Sequence, residues 1–231
     1  GASLALDTSG HAYISYQDNY NRDLKYATNA SGSWVTTTVD SYGWVGFTSS
    51  IATDASGHVH ISYRDESESL TNEHLKYATN VSGSWVTFTV DSVSAHSESS
   101  IAIDPSGHAH ISYSDGNLGL RYATNVSGSW ITTTVDSGRG IGDYNSIAVD
   151  ASGHAYISYL GGTNYDLIYA TNVSGLWITA TVDSEGDVGA PNSLALDASG
   201  NVHISYGRSG DNFSIKYATN VSGSWAITTV N

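Results

Sequence analysis

An all-β fold, a five-bladed β-propeller with four antiparallel strands per blade, follows from three observations. A stretch of the type Ser146-Ile147-Ala148-Val149-Asp150-Ala151-Ser152-Gly153-His154 recurs five times, beginning at Ser3, Ser50, Ser100, Ser146 and Ser193, in steps of 47, 50, 46 and 47 residues. Each copy is followed by a second shared block, as in Leu75-Lys76-Tyr77-Ala78-Thr79-Asn80-Val81-Ser82-Gly83-Ser84-Trp85. No window carries the 3.6-residue period of an amphipathic helix, while Thr, Ser, Val, Ile and Tyr fill the regular stretches and suit a pleated surface. Units of about 40–50 residues with four short strands cannot bury a sheet face alone and must stack, as blades do.

The first unit shows the elements in order. Ser3 to Asp7 is a short apolar run (strand A), and Thr8-Ser9-Gly10 a turn. His11 to Tyr16 alternates (strand B), and 17–23 is polar and irregular. Leu24 to Thr28 is a third run (strand C), followed by the turn Asn29-Ala30-Ser31-Gly32. Trp34 to Val39 is strand D, with Thr on alternate positions, and Asp40 to Ser49 leads into the next unit. Turn chemistry bounds every run. The blades then span about 1–47, 48–97, 98–143, 144–190 and 191–231 of a single domain, 1–231. Strand A is apolar on both faces (Ile101-Ala102-Ile103, Leu194-Ala195-Leu196), as expected of an inner strand with neighbours on both sides, and strand D is the most polar, as expected of an outer one. With A innermost, the first blade must pack on the fifth. If the His-x-x-Ile-Ser-Tyr run were innermost instead, 3–7 would complete the last blade as a clasp.

The pattern small-Ile-Ala-Val-Asp-x-x-Gly-x-Ala-Tyr-Ile resembles the opening of an NHL-type propeller blade, where the first apolar run is the innermost strand. The count of five resembles the tachylectin-type lectin propellers. The resemblance covers the whole chain as architecture and implies a lectin-like role. The loops match no binding signature, and WD40 and kelch signatures are absent.

Composition narrows the partners. The formal net charge is −14, with eight Lys and Arg, the wrong sign for nucleic-acid backbones and for anionic membrane surfaces. No apolar run reaches the length of a spanning helix. With no Cys, disulfides and thiolate metal sites are excluded and the redox compartment is left open. A chain opening at Gly1 with no Met reads as processed or engineered. Its localisation is open, with secretion or the cell surface expected of a natural chain. Asn-x-Ser recurs at Asn29, Asn80, Asn125, Asn172 and Asn220. It would be a glycan acceptor in a eukaryotic secreted protein, but as part of a repeated Asn-Val-Ser-Gly turn it reads as turn chemistry.

Antiparallel strands put the A–B and C–D turns at one end of every blade and the B–C and D–A loops at the other. The first two are nearly constant among the copies. The last two vary in length and content, and loops on a rigid scaffold are where binding usually sits. Aromatic residues gather at that variable end: Tyr20, Tyr42, Trp44, Phe47, Tyr144, Tyr165 and Phe213 are the candidate ligand-binding residues, suited to stacking on a carbohydrate ring or small molecule.

Other recurring groups have structural explanations. Asp7, Asp54, Asp104, Asp150 and Asp197 end each strand A. They could ring a cation with oxygen ligands, but Asp-x-Ser-Gly spacing fits an Asx turn directly. His58 with His60, and His108 with His110, have chelating spacing. Tyr13, Tyr156 and Asn201 replace single members elsewhere, which favours an inter-blade packing site with a polar tip. His11 and its counterparts are expected to bond to backbone. Trp34, Trp85, Trp130, Trp177 and Trp225, one per blade, read as caps on blade packing. Asp65, Glu66, Glu68 and Glu73 read as a solvated acidic loop. Ser, His and Asp are too abundant for a coincidental triad to inform. The chain is expected to be a non-enzymatic monomer with no cofactor and no resident metal, binding carbohydrate. The alternative is a structural or engineered repeat scaffold without a ligand.

Overall fold

The computed structural model describes residues 1–69, 72–92, 98–115, 119–138, 140–209 and 213–230. Parts of the loops expected to vary (70–71, 93–97, 116–118, 210–212) lie outside the described residues. The first sheet holds β1 (Ala2–Leu6), β2 (Ala12–Asp18), β3 (Asp23–Thr28) and β4 (Val35–Asp40). The second holds β5 (Val45–Thr53), β6 (Val59–Ser69), β7 (Asn72–Thr79) and β8 (Val86–Asp91). The third is β9 (Ser99–Ile103), β10 (Ala109–Ser114), β11 (Gly119–Thr124) and β12 (Ile131–Ser137). The fourth is β13 (Ser146–Val149), β14 (Ala155–Gly161), β15 (Asp166–Thr171) and β16 (Ile178–Asp183), with a 3-10 turn at Gly162–Asn164. The fifth is β17 (Val188–Leu196), β18 (Val202–Arg208), β19 (Ser214–Thr219) and β20 (Ala226–Thr229). Each sheet is ordered as its sequence runs, and the fold is a five-bladed propeller of repeated four-stranded blades.

β1 pairs with β2, Leu4 opposite Ile14, so the 3–7 run belongs to the first blade and is no clasp for the last. Consecutive first strands lie against one another, β1 on β5, β5 on β9 and β13 on β17, which makes strand A innermost. By contact the chain divides into two compact units, Gly1–Ile111 with Ala123–Thr132, and Ser112–Tyr122 with Thr133–Asn231. In the first, Tyr13, Leu24 and Tyr26 of one sheet meet Val45, Ile51, Val59, Ile61 and Tyr63 of the next. In the second, Tyr156, Leu167 and Val182 meet Val188, Leu194, Val202, Ile204 and Tyr206. One blade thus offers a trailing face and its successor a leading face.

The junctions are closed by repeated contacts. Four of the five Trp that open a strand D pack edge-on against the strand-C tyrosine of the preceding blade: Trp85 on Tyr26, Trp130 on Tyr77, Trp177 on Tyr122 and Trp225 on Tyr169, centroids 5.0–5.3 Å apart. Gly46, Gly142 and Gly189 let the incoming chain lie directly on the previous strand C. A Cβ there would stand 2.9, 2.8 and 3.1 Å from the Cα of Leu24, Leu120 and Leu167. The sequon asparagines are used internally: Asn29, Asn80, Asn125, Asn172 and Asn220 each accept a strand-B backbone N–H through Oδ1 at 2.8 Å.

A β-bulge adds a polar lock. Leu24 pairs with Asp40 and Lys25 with Thr38, so Val39 is an extra residue; the same shift recurs at Leu75/Lys76 and Leu167/Ile168. A bulge re-aims the residues beside it, so that Val39 and Asp40 both serve the trailing side. Asp40 Oδ2 accepts the Tyr63 hydroxyl and the Lys76 ammonium at 2.7 Å each. Asp183 Oδ2 accepts Tyr206 at 2.7 Å and Lys216 at 2.5 Å. Asp136 Oδ2 accepts Tyr159 at 2.7 Å, and Ile168 stands opposite Tyr159, where Lys216 stands opposite Tyr206. Burial works against the charge on Asp40 and Asp183, but these bonds outweigh it and hold both carboxyls below their ordinary range. Burial, and then the facing carboxylate, push Tyr63, Tyr159 and Tyr206 far above the usual phenol value.

Two expectations are corrected. The D–A segments are partly strand: β5 starts at Val45 and β17 at Val188, so Phe47 is a strand residue beside a register shift. The acidic loop is an extension of β6 and β7. Asp65, Glu66 and Glu73 are buried, since Arg64 pairs with Glu66 at 2.5 Å and lies 3.6 Å from Glu73, and Lys76 lies 3.5 Å from Asp65. Burial follows the counter-charges; the side chain of Glu68 lies outside the described ones.

Asp183→Ala strands the buried Lys216 and is expected to cost about 3–5 kcal/mol in chemical denaturation. Asp136→Ala removes a carboxylate whose partner is the neutral Tyr159 and is expected to cost less, about 1–3 kcal/mol. Equal losses would show that the lysine adds nothing to the lock.

Candidate functional site: the clefts between blades at the variable end

The variable end is built on unusual backbone. Among the described non-glycine residues four have positive φ, Arg22 (65°), Thr48 (44°), Tyr144 (50°) and Tyr165 (55°), and all lie in B–C or D–A segments. Such conformations cost on the order of 1 kcal/mol each and persist where the surroundings fix them. Three of them, Arg22, Tyr144 and Tyr165, aim carbonyls into the following blade. Val45 N–H donates to Arg22 O at 3.0 Å and Val188 N–H to Tyr165 O at 2.9 Å. Asn192 Nδ2 donates to Tyr144 O at 2.6 Å. Arg22 and Tyr165 therefore occupy equivalent places, each at the mouth of a junction between blades.

In the first unit that mouth is filled. The Arg22 guanidinium lies 3.9 Å above the Trp44 ring, Trp44 meets Phe47 edge-on at 5.9 Å, and Arg64 lies 5.3 Å from the Phe47 ring. Trp44 is half-buried, so its ring is a stack already made. Tyr42 beside it is 81% exposed, its backbone N–H held by Asp40 Oδ1 at 3.1 Å.

In the second unit the equivalent mouth is open. A cleft of about 220 Å³ is lined by Tyr144, Leu160, Tyr165, Asp187, Val188, Ala190 and Ser209. Tyr144 and Tyr165 are exposed, and Asp187 is an exposed carboxylate at the position of Trp44. Two aromatic rings, one acceptor and an apolar floor suit a ligand with both an apolar face and hydroxyls.

The candidate residues therefore separate. Tyr144 and Tyr165 share one cleft, and Trp44, Phe47 and Tyr42 form a second group. Tyr20 is at a loop tip, 93% exposed. Phe213 packs over Gly207, where a Cβ would stand 3.1 Å from its ring. Sequence reasoning missed Arg22, Arg64 and Asp187. Aligning the copies on Val45 and Val188 would have placed Arg22 beside Tyr165 and Trp44 beside Asp187.

The constant end contains a larger hollow, about 450 Å³, lined by 149–152 and 196–200, but its carboxylates are engaged. Asp150 Oδ1 accepts Ser152 N–H and His154 N–H, and Oδ2 takes His154 Nδ1 and the Tyr156 hydroxyl. Asp7, Asp54, Asp104 and Asp197 repeat the Asx turn. Burial works to raise Asp7, yet the bonds from His11, Tyr13 and Ser9 outweigh it and bring it down to about 2. Among the described residues no group of three His, Asp or Glu could hold a metal ion. His11 corrects its expectation: its ring bonds to the Asp7 carboxylate at 2.8 Å. The His/Tyr position packs between blades as expected, His60 Nδ1 lying 2.6 Å from the Tyr77 hydroxyl. Burial lowers His60 and His110 against the opposing pull of Asp54 and Asp104.

Solved structures share the architecture. A mutant of Aleuria aurantia lectin in complex with Fucα1-6GlcNAc matches all of this chain and 78% of its own, TM-score 0.69 at 13% identity. AofleA from Arthrobotrys oligospora matches all of this chain and 72% of its own, TM-score 0.64 at 11% identity. A PL25 ulvan lyase bound to an uronic acid–sulfated rhamnose unit matches 96% of this chain and 69% of its own, TM-score 0.62 at 14% identity. The structural neighbours thus include a carbohydrate-binding lectin propeller as well as an enzyme. No family model and no curated protein matches the sequence.

The buried histidines set an acid limit. Their folded pKa lies below the ordinary 6.5, so the unfolded chain binds more protons and stability falls as pH drops through 6.5. The lowered aspartates add a second loss below about 3.8. Tm is expected to fall between pH 7 and 5, and to stay level there in the His60→Tyr/His110→Tyr variant, which uses the residue found in blades one and four. An identical slope in both proteins would show that these histidines do not titrate with unfolding.

Proposed function

We infer that the protein is a non-enzymatic carbohydrate-binding propeller that takes a sugar ring in the cleft formed by Tyr144, Tyr165 and Asp187. That cleft is the observation that carries the reading. A pyranose has apolar C–H faces and a rim of hydroxyls, which match tyrosine rings and a carboxylate acceptor. A net charge of −14 favours neutral or amino sugars over anionic ones. The cleft is smaller than the roughly 300–1,000 Å³ that enclose a drug-sized ligand, so one site suits a single terminal residue and useful avidity needs multivalent presentation. The lectin propeller among the neighbours supports the same reading at the level of fold. The Tyr42–Trp44–Phe47 group forms the corresponding position at the junction of the first and second blades, with Arg22 as its lid. A ligand-free repeat scaffold is the second reading, favoured by the near-identity of the constant blocks.

Screening on a glycan array, followed by titration of the best glycan, is expected to show binding that weakens at least tenfold in Tyr165→Ala and Tyr144→Ala with Tm unchanged. Trp44→Ala is expected to alter binding only for ligands that also occupy the first-unit cleft. An array without signal, or binding indifferent to both tyrosines, would leave the scaffold reading standing.

A further inference from the structure

We propose that the cleft formed by Tyr144, Tyr165 and Asp187 recognises an organic ammonium group, so that its sugar is a 2-amino sugar with a free amine, a choice of sugar that rests on the carbohydrate reading above. The observation is what fills the equivalent mouth in the first unit. There the Arg22 guanidinium lies 3.9 Å above the Trp44 ring, a cation on an aromatic face. Arg22 and Tyr165 are equivalent. Each has a left-handed backbone, φ 65° and 55°, and their carbonyls accept the N–H of Val45 and Val188 at 3.0 and 2.9 Å. Trp44 and Asp187 directly precede those valines. The first mouth therefore supplies its own cation and its own ring. The second has a ring in place of the cation and a carboxylate in place of the ring.

That exchange leaves partners for a cation and no cation in the lining. The cleft of about 220 Å³ holds Tyr144, Tyr165 and Asp187 over Leu160, Val188 and Ala190, all within one compact unit. Asp187 is fixed through its backbone, its carbonyl accepting Ser209 N–H at 2.8 Å, so that its exposed carboxylate is the acidic group of the cleft. Arg208 stands opposite Val188, but its guanidinium runs beside Gly186, where a Cβ would stand 3.5 Å from Nε, and it does not line the cleft. The fourth blade has also lost a cation of its own. Lys25, Lys76, Arg121 and Lys216 share one position of strand C, which Ile168 takes in blade four. Lys25 lies 3.6 Å from Asp23; Asp166, the equivalent of Asp23 beside Tyr165, has no lysine at the matching place.

An ammonium attached to a ring of C–H bonds satisfies both kinds of group at once. Its charge is attracted to the negative faces of the tyrosine rings, and its N–H donors make charge-assisted hydrogen bonds to the carboxylate. The apolar face of the sugar then lies on the aliphatic floor. Acetylation of the amine removes the charge, and a hydroxyl at the same carbon carries none. The free amino sugar is therefore selected over its N-acetyl and 2-hydroxy counterparts. The net charge of −14 draws cations toward the protein in the same sense.

Calorimetric titration of the full chain with glucosamine, N-acetylglucosamine, glucose and choline, at about pH 6 where an amine is protonated, tests the assignment. Glucosamine is expected to bind about tenfold tighter than the two uncharged sugars, the scale of one hydrogen bond to a charged group. Asp187→Asn is expected to bring the three sugars to similar affinity. Tyr165→Arg places the first unit's cation in this cleft, at a backbone conformation that Arg22 already adopts. It is expected to abolish binding with circular dichroism and Tm unchanged. Equal affinity for the three sugars, or a glucosamine preference that survives Asp187→Asn or Tyr165→Arg, overturns the proposal and leaves the carbohydrate reading in place. Binding of choline that weakens in Asp187→Asn, with no sugar bound, upholds the ammonium site and sinks the carbohydrate reading. No binding of any of the four at high millimolar concentration overturns both.

Discussion

The structure depends on one constraint: a short four-stranded sheet has two faces, and each blade must offer an apolar face to its successor. Everything repeated in the chain serves that covering. The small inner residues and the glycines bring backbones close, as at Gly46 over Leu24. The tryptophans close the outer edge against the preceding tyrosines. The bulge at Val39 lets two consecutive residues, one apolar and one acidic, serve the same junction. Apolar cover supplies most of the free energy, since it scales with area. The Asp–Tyr–Lys lock contributes specificity of register, because its geometry fails if one blade slips by a residue while an apolar surface alone tolerates small shifts.

The variable end follows from the same constraint. Each junction leaves a notch where a B–C loop meets the next D–A segment, and the left-handed residues Arg22 and Tyr165 stand at that notch with their carbonyls committed across it. Their side chains are free of that backbone task. In one junction the side chain covers a tryptophan, and in the other it frames an open cleft. A common backbone thus accommodates clefts of different chemistry, and this is how loop variation on a rigid scaffold yields binding sites.

The fold was legible because its signal is redundant. Four strand runs per unit, each between Gly- or Asn-containing turns, recur five times, and in the first blade the strand ends agree with the sequence reading to within two residues. The Asx turn at Asp7 and the packing role of Trp85 were readable for the same reason: spacing alone constrains them. What escaped was set by tertiary contact. The burial of Glu66 and Glu73 depends on Arg64, which no periodicity assigns to them. The strand character of Phe47 depends on a register shift, and bulges leave no fixed mark on an alternation pattern. Of the candidate cleft, the end of the blades on which it lies and its two aromatic residues, Tyr144 and Tyr165, were legible. Asp187 and Arg22 were not, because an exposed charge in a loop looks the same whether or not it faces a notch.

The constant end shows why recurrence is a poor guide to function here. Asp150 and His154 recur in nearly every copy and look like the parts of an active site. Yet Asp150 accepts four hydrogen bonds within its own blade, the full capacity of a carboxylate. A group whose acceptor sites are all filled by its own turn has nothing left for a ligand, and any substitution would leave backbone N–H groups without partners. Such a network holds itself invariant for structural reasons. Tyr144 and Tyr165 hold the chain through backbone carbonyls alone, so their side chains can change from copy to copy at no cost to the blade. A binding site can be specified only at positions with that freedom, and the chain places them where its repeats disagree.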